Sequence, residues 1–269
     1  MERSDWAIVG AGLGGLLCAA GLAQRGKRVV VLERAARAGG RARSQITGGF
    51  VLNQGPHAVY RGGATEALLT ELGVPLSAGL ATARGGVLVS SEGTHAFPRG
   101  ALSLLGTSAL GLRGKVQVAR VLAGLGEARR RLEPQISVAA WLTSLGLEPR
   151  AERVMRALCR LATYVDAPDE LSAQAAAIAL HAATAGGVLY VHAGWQSIVD
   201  GLTAELRDAE VRFGASVRRV VTQGDQVRGV ELASGELVGA SSVVIAAGPR
   251  IFGRLVAEVP QLRAAAARA

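Results

Sequence analysis

The chain has 269 residues, 49% of them hydrophobic and 19% charged, a balance that excludes a disordered tail and suits one large or two modest globular domains. Its formal charge of +9 would suit an anionic partner, but the arginines are scattered and aromatic residues, at 4%, do not interleave with them. No base-stacking surface for nucleic acid is therefore visible. The single basic run, Arg129-Arg130-Arg131, reads as a solvated helix end. Cys18 and Cys159 fall on apolar faces of predicted helices, which indicates buried thiols in a reducing compartment and not a disulfide framework. No apolar run reaches the roughly 18 residues of a membrane span, and Glu2 to Asp5 stand where a signal peptide needs a basic start. A cytoplasmic protein is expected.

Ala7-Ile8-Val9 reads as a short buried parallel strand that runs into Gly10-Ala11-Gly12-Leu13-Gly14-Gly15, a G-x-G-x-x-G. Leu16, Leu17, Ala20 and Ala23 then recur at helical spacing until Gly26. Val29 to Leu32 is a second buried strand with Glu33 at its carboxyl end, about 20 residues beyond the glycines. Each part has a mechanical reason. Gly10 turns the chain out of the strand, Gly12 lets backbone approach a pyrophosphate, and Gly15 lets the helix lie on the sheet. The helix N-terminus supplies free N–H groups and partial positive charge, and a carboxylate at Glu33 can accept from a ribose hydroxyl. Gly39-Gly40-Arg41 follows, a turn carrying a fixed charge that can reach back to a diphosphate.

The segment Glu33-Arg34 to Gly39-Gly40-Arg41 resembles the FAD signature of the flavin-dependent superfamily that includes amine oxidases, protoporphyrinogen oxidase and phytoene-desaturase-like enzymes. The resemblance implies FAD, with Gly10, Gly12, Leu13, Gly14 and Gly15 at the diphosphate, Glu33 at the adenosine ribose, Arg34 beside it, and Gly40 and Arg41 on the phosphate side. Gly49-Phe50 to Gly55-Pro56-His57 matches a further family phrase whose backbone lies along the flavin ring, although the family often has Asp where Asn53 stands. His57 is either a proton carrier near that ring or a residue that only fills space beside a turn.

Further along, Thr65 to Leu72 is a predicted helix, and Val87 to Ser90 and Thr94 to Phe97 are predicted strands of a hairpin. His95 has no metal-type ligand near it in sequence and reads as structural. From Ala101 to Ala185 the pattern is helical throughout. Val118, Val121, Leu122 and Leu125 make one apolar stripe, and Val154, Leu158, Leu161 and Ala162 another. Ser137 is the expected cap of one helix and Asp169 or Ser172 that of another. Core packing is the ordinary use of such stripes. Peripheral membrane docking of the Arg113 to Leu125 helix, through its basic flanks, stays an alternative.

After the strand Val188 to Val191, the chain turns at Ala193-Gly194 into a helix carrying Ile198, Leu202 and Leu206; the family commonly has two glycines at this turn. Val211 to Phe213, Ser216 to Gln223, Gln226 to Leu232, Glu236 to Val238 and Val243 to Ala246 are five expected strands. The resemblance implies that the strand holding Val217 offers its backbone to the adenine and that Ala247-Gly248-Pro249 passes the diphosphate.

The expected fold is α/β, a Rossmann-like FAD-binding domain with a parallel sheet and a small antiparallel meander, interrupted by a mainly helical substrate domain. The expected boundaries are 1–76 and 192–269 for the first and 77–191 for the second. The expected function is an FAD-dependent oxidoreductase removing hydride from an apolar small-molecule substrate, with no catalytic side chain and no metal ligand singled out. The alternative is a noncatalytic FAD- or NAD(P)-binding remnant or one part of a split flavoenzyme. Family members continue to a final Gly-Asp motif near the ring, and Gly224-Asp225 here is only a hairpin turn, so a truncated or split chain is expected, one that binds FAD loosely, if at all, and turns over poorly or not at all.

Overall fold

A computed structural model describes residues 3–55, 58–81, 86–98, 101–207 and 209–267. The chain opens with β1 (Ser4–Val9), α1 (Leu13–Ala23) and β2 (Val29–Glu33), then the hairpin β3 (Ser44–Thr47) and β4 (Phe50–Asn53). It continues through β5 (Val59–Tyr60), α2 (Ala64–Glu71), β6 (Ala78–Leu80) and a second hairpin, β7 (Val87–Ser90) and β8 (Gly93–Ala96). A helical stretch follows: α3 (Ala101–Gly106), α4 (Leu112–Arg131), α5 (Val138–Ser144), α6 (Pro149–Thr163) and α7 (Ala173–Ala185). The last part holds β9 (Val188–Val191), α8 (Gln196–Ala204), β10 (Glu210–Phe213), β11 (Val217–Gln223), β12 (Gln226–Leu232), β13 (Leu237–Ile245), α9 (Pro249–Leu255) and α10 (Arg263–Ala266). Contacts divide the chain into two compact units, 1–57 with 64–78 and 191–269, and 58–63 with 79–190.

The first unit is built on a six-stranded sheet in the order β10-β2-β1-β13-β12-β11. β10, β2, β1 and β13 run parallel, and β12 and β11 are added antiparallel. β2 reads Val-Val-Val-Leu-Glu with its first four residues buried, the composition of an interior parallel strand covered on both faces. Successive side chains alternate between those faces. Ala7, Val9, Val30 and Leu32 join a core closed by Leu255 and Val256, whereas Ile8 and Val31, fully buried, belong to the other face. Helix α1 packs there with α8, its buried residues being Leu16 and the small Gly15, Ala19 and Ala20, which allow close approach. Each large apolar side chain so enclosed contributes roughly 1.5–3 kcal/mol.

One expectation is corrected at β13. The pieces Glu236 to Val238 and Val243 to Ala246 are not separate strands: Leu237–Ile245 is continuous. Its first half pairs antiparallel with β12 (Val230 opposite Val238) and its second half parallel with β1 (Ile8 opposite Val244). Gly239, Ser241 and Ser242 interrupt the apolar pattern without interrupting the backbone, and buried Ala240 carries the strand through. The meander and the parallel sheet are therefore one hydrogen-bonded surface.

In the second unit, Val118 and Leu125 of α4, Met155 of α6 and Ala176 and Ala177 of α7 meet in a core, and Val121 and Leu122 pack against it. The α4 stripe is thus used in core packing. The α6 stripe holds at Val154 and Leu158 but not at Leu161, which is 57% exposed in the last turn. The region is not helical throughout: non-helical links join its five helices. The Ser137 hydroxyl caps α5, accepting from the Ala140 amide at 3.2 Å, and Ser172, not Asp169, caps α7. The two cap segments bridge each other, with Val138 N–H donating to the Leu171 carbonyl and Ala173 N–H to that of Ile136, both at 2.8 Å. Both cysteines are free thiols, Cys159 buried and Cys18 half-buried. His95 contacts Ser108 Oγ at 2.9 Å and Ser90 Oγ at 3.3 Å through its ring nitrogens. Among the described residues no helix is long and apolar enough to cross a membrane.

Candidate functional site

The first unit holds a cavity of about 760 Å³ at the carboxyl ends of β1, β2 and β13. This is where a doubly wound sheet binds ligands: β1 has β2 on one side and β13 on the other, so the loops leaving these strands part and open a crevice. Gly10, at the end of β1, adopts φ +104°, and its N–H donates to the Leu32 carbonyl at 2.8 Å, tying the loop to β2. Helix α1 starts at Leu13 on Gly12, with no side chain capping it and no acidic residue in its first turn. The first amide to find a helical carbonyl is that of Leu16, which donates to Gly12 at 2.9 Å. The amides of Leu13 and Gly14 lie ahead of that bond, in residues that line the cavity, and offer donors and partial positive charge to an anion. A methyl group on Gly12 or Gly14 would meet no protein atom within 4 Å.

Gly15 does not line the cavity. A methyl there would collide with the Gly10 carbonyl oxygen and come within 3.2 Å of Ala246 Cβ, so this glycine lets α1 lie against the strand ends. Glu33, at the end of β2, is held from two sides, with Oε2 accepting from the Ala11 N–H and Oε1 from the Ala35 N–H, both at 2.8 Å. The carboxylate is thereby fixed at the cavity wall, with lone pairs left for a ligand hydroxyl. Gly39 N–H donates to the Ala11 carbonyl at 2.7 Å, which brings Gly40 and Arg41 to the cavity opposite the glycine loop's start. Val217, Ala247 and Gly248 line it from β11 and from the turn after β13.

Of the residues expected from sequence, Gly10, Gly12, Leu13 and Gly14, then Glu33, Arg34, Gly40 and Arg41, and finally Val217, Ala247 and Gly248 share this one cavity. Gly55 does not: it lies in a bend after β4, half-buried. Pro56 and His57 lie outside the described residues. The cavity also contains residues that sequence reading missed, among them Trp195 at the start of α8 and Arg250 and Arg254 on α9. The i, i+4 spacing of the two arginines after Gly248-Pro249 was a readable signal for one shared helix face. Among the described residues, Arg34, Arg41, Arg250 and Arg254 line the cavity with one carboxylate, Glu33.

The turn at Ala193-Gly194 is fixed from the β3–β4 hairpin. Asn53 Oδ1 accepts from Ser44 Oγ–H at 2.7 Å and from the Trp195 N–H at 3.1 Å, and Ser44 Oγ accepts from the Gln196 N–H at 3.1 Å. Gly194 is required there: it has φ +75°, and a methyl would lie 2.5 Å from Val51 Cγ1 and 2.7 Å from Ser44 Oγ. Asn53 acts here as an acceptor, a role its side-chain carbonyl fills as a carboxylate would.

A parallel sheet with a glycine loop, an uncapped helix N-terminus, a fixed carboxylate and excess arginine defines a dinucleotide-binding α/β protein. The sequence is matched over residues 13–269 by the family model for flavin-containing amine oxidoreductases, and the chain belongs to that family. It is 30% identical over 268 residues to a protein named as a flavin-containing monoamine oxidase, AofH, of Mycobacterium tuberculosis, a match covering 91% of this chain and 57% of the relative. It is 26% identical over 276 residues to the zeta-carotene-forming phytoene desaturase of Myxococcus xanthus, covering 88% and 52%. The chain thus spans about half the length of these curated relatives. Its fold is shared with an oxidoreductase of Methanosarcina mazei, with a TM-score of 0.73 and 21% identity, over 97% of this chain and 63% of that one. The family is one of FAD-dependent oxidoreductases, and the cavity suits FAD's adenosine diphosphate half: backbone donors and arginines for two phosphates, a carboxylate for a ribose.

Proposed function

We propose that this chain binds FAD in the cavity of its first unit and serves an oxidoreductase that removes a hydride from an apolar small-molecule substrate. The observation that carries the reading is the convergence in one cavity of an uncapped α1 N-terminus, doubly anchored Glu33 and the Gly39 to Arg41 turn. When bound, the flavin supplies a two-electron acceptor. The chain's own residues bind and orient it. The Leu13 and Gly14 amides and Arg41 are assigned to the diphosphate, with Gly12 leaving room for close approach. Glu33 is assigned to the adenosine ribose, where a carboxylate favours hydroxyls and repels a 2′-phosphate. Val217 and the Ala247-Gly248 turn complete the wall. The helical unit, 77–191 with its neighbouring strands, is assigned to the substrate side. An apolar substrate is supported by the name of the Myxococcus xanthus relative, and an amine by that of the Mycobacterium tuberculosis one.

The test is to purify the chain, reconstitute it with FAD, and record flavin absorbance with amines and polyenes added under anaerobic conditions. Retained flavin bleached by one substrate class supports the proposal and names the class. Retained flavin that no candidate reduces favours a binding role without turnover. Failure to retain FAD at all overturns the reading.

A further inference from the structure

The arginines of α9 are not part of the glycine loop, yet they line the same cavity. α9 is held to the sheet by Leu255, 1% exposed in the core with β11, and by Ile251, half-buried against that core. That packing fixes the helix's rotation, and Arg250 and Arg254, one turn apart, border the cavity beside Ile251 and Leu255. Among the described residues, the side chains of Arg34, Arg250 and Arg254 make no hydrogen bond or ion pair.

The second unit shows what arginines around a cavity do when no anion is needed. A cavity of about 390 Å³ there has Arg150, Arg153, Arg156 and Arg160 along its wall, and all four are paired. Arg150 and Arg153 meet Glu92, at 2.5 and 3.4 Å, Arg156 meets Glu152 at 2.8 Å, and Arg160 meets Asp166 at 3.3 Å. In the nucleotide cavity Glu33 is the carboxylate among the described lining residues, anchored by two backbone amides, and the Arg34, Arg250 and Arg254 side chains there outnumber it. An excess of positive charge around one crevice raises the local concentration of anions.

We infer that Arg250 and Arg254 form a second anion-binding arm of this cavity, holding the diphosphate of an adenine nucleotide, FAD or ADP, from an element separate from the glycine loop. The inference rests on the nucleotide reading of the cavity. The guanidinium groups offer forked donors to phosphate oxygens, and as exposed side chains they add attraction that salt screens.

The experiment titrates the full chain with ADP, FAD and riboflavin at low and moderate salt, comparing wild type with Arg250→Gln/Arg254→Gln, each single variant, and Arg250→Lys/Arg254→Lys. The double Gln variant is expected to bind ADP and FAD roughly five- to twentyfold more weakly, the sum of two exposed charge contacts, and with a flatter salt dependence. Each single variant should fall between it and wild type, and the Lys variant should keep the wild-type salt dependence. Riboflavin, which lacks the diphosphate, should respond to none of them. Equal ADP and FAD affinity and salt dependence in wild type and the Gln variants overturns the arm while leaving the nucleotide site standing. Wild type that binds neither ADP nor FAD overturns both.

Discussion

Gly14 and Gly15 are neighbours in the first turn of α1, and replacing each by alanine should have opposite effects on the fold. Alanine is the better helix former by about 1 kcal/mol. At Gly14 nothing opposes that gain, because the residue is exposed and a methyl there meets no protein atom within 4 Å. Gly14→Ala should stabilise the chain by roughly 0.5–1 kcal/mol. At Gly15 the methyl runs into the Gly10 carbonyl, with Ala246 Cβ 3.2 Å away, and a backbone oxygen cannot rotate aside as a side chain could. Overpacking costs roughly 1–3 kcal/mol and here falls at the upper end, so after the helix gain Gly15→Ala should lose about 2 kcal/mol. The binding effects divide differently. The Gly14→Ala methyl stands in the nucleotide cavity and should weaken ADP binding in a chain that is more stable than wild type. Urea unfolding followed by far-UV circular dichroism gives the stability order, and ADP titration gives the binding order. A Gly15→Ala chain as stable as Gly14→Ala would refute the claim that Gly15 is present for helix-on-sheet packing.

Glu33→Ala should cost roughly 1.5–3 kcal/mol of FAD affinity, the worth of one charged hydrogen bond, and should also lower the unfolding midpoint because the Ala11 and Ala35 amides lose their acceptor. Equal flavin occupancy in variant and wild type would remove the ribose assignment. Ser44→Ala deprives the Gln196 amide of its acceptor and should destabilise the first unit by roughly 1–3 kcal/mol, measured as a urea midpoint shift; no shift would mean that the Ala193-Gly194 turn is held by other contacts. Burial pushes the Cys159 thiol up from its ordinary 9.0 to about 11, so the unfolded chain ionises first as pH rises. Stability is unaffected by this group below pH 9 and falls by about 1.4 kcal/mol per pH unit from there to about 11. Cys159→Ala should flatten that alkaline fall, and parallel midpoint–pH curves for the two proteins would contradict it.

The parts of this chain that were legible in its sequence are those whose physics is local. A glycine that must turn, a helix that begins without a cap and a run of four buried aliphatics leave their marks within a few residues, and Gly10 to Glu33 was readable for that reason. Ser137 as a cap was legible in the same way. What escaped depends on partners far along the chain. β13 looked broken at Gly239-Ala240-Ser241-Ser242 because its continuity comes from β1 and β12 and not from its own side chains. Trp195 joins the cavity wall through a turn whose amides are held by Ser44 and Asn53, about 150 residues earlier. Leu161 matched the α6 stripe by periodicity but lies in a last turn left exposed, which spacing alone does not report. The α4 stripe was legible as apolar, and only the packing of α6 and α7 decided that it faces a core.

The place of the adenosine diphosphate group is decided by a crystal structure of the chain soaked or grown with FAD or ADP. Ligand density is expected in the cavity at the ends of β1, β2 and β13, with phosphate oxygens at the Leu13 and Gly14 amides, a ribose hydroxyl on Glu33 and the adenine beside Val217. Density elsewhere on the chain, or an empty cavity at saturating nucleotide, would contradict this placement.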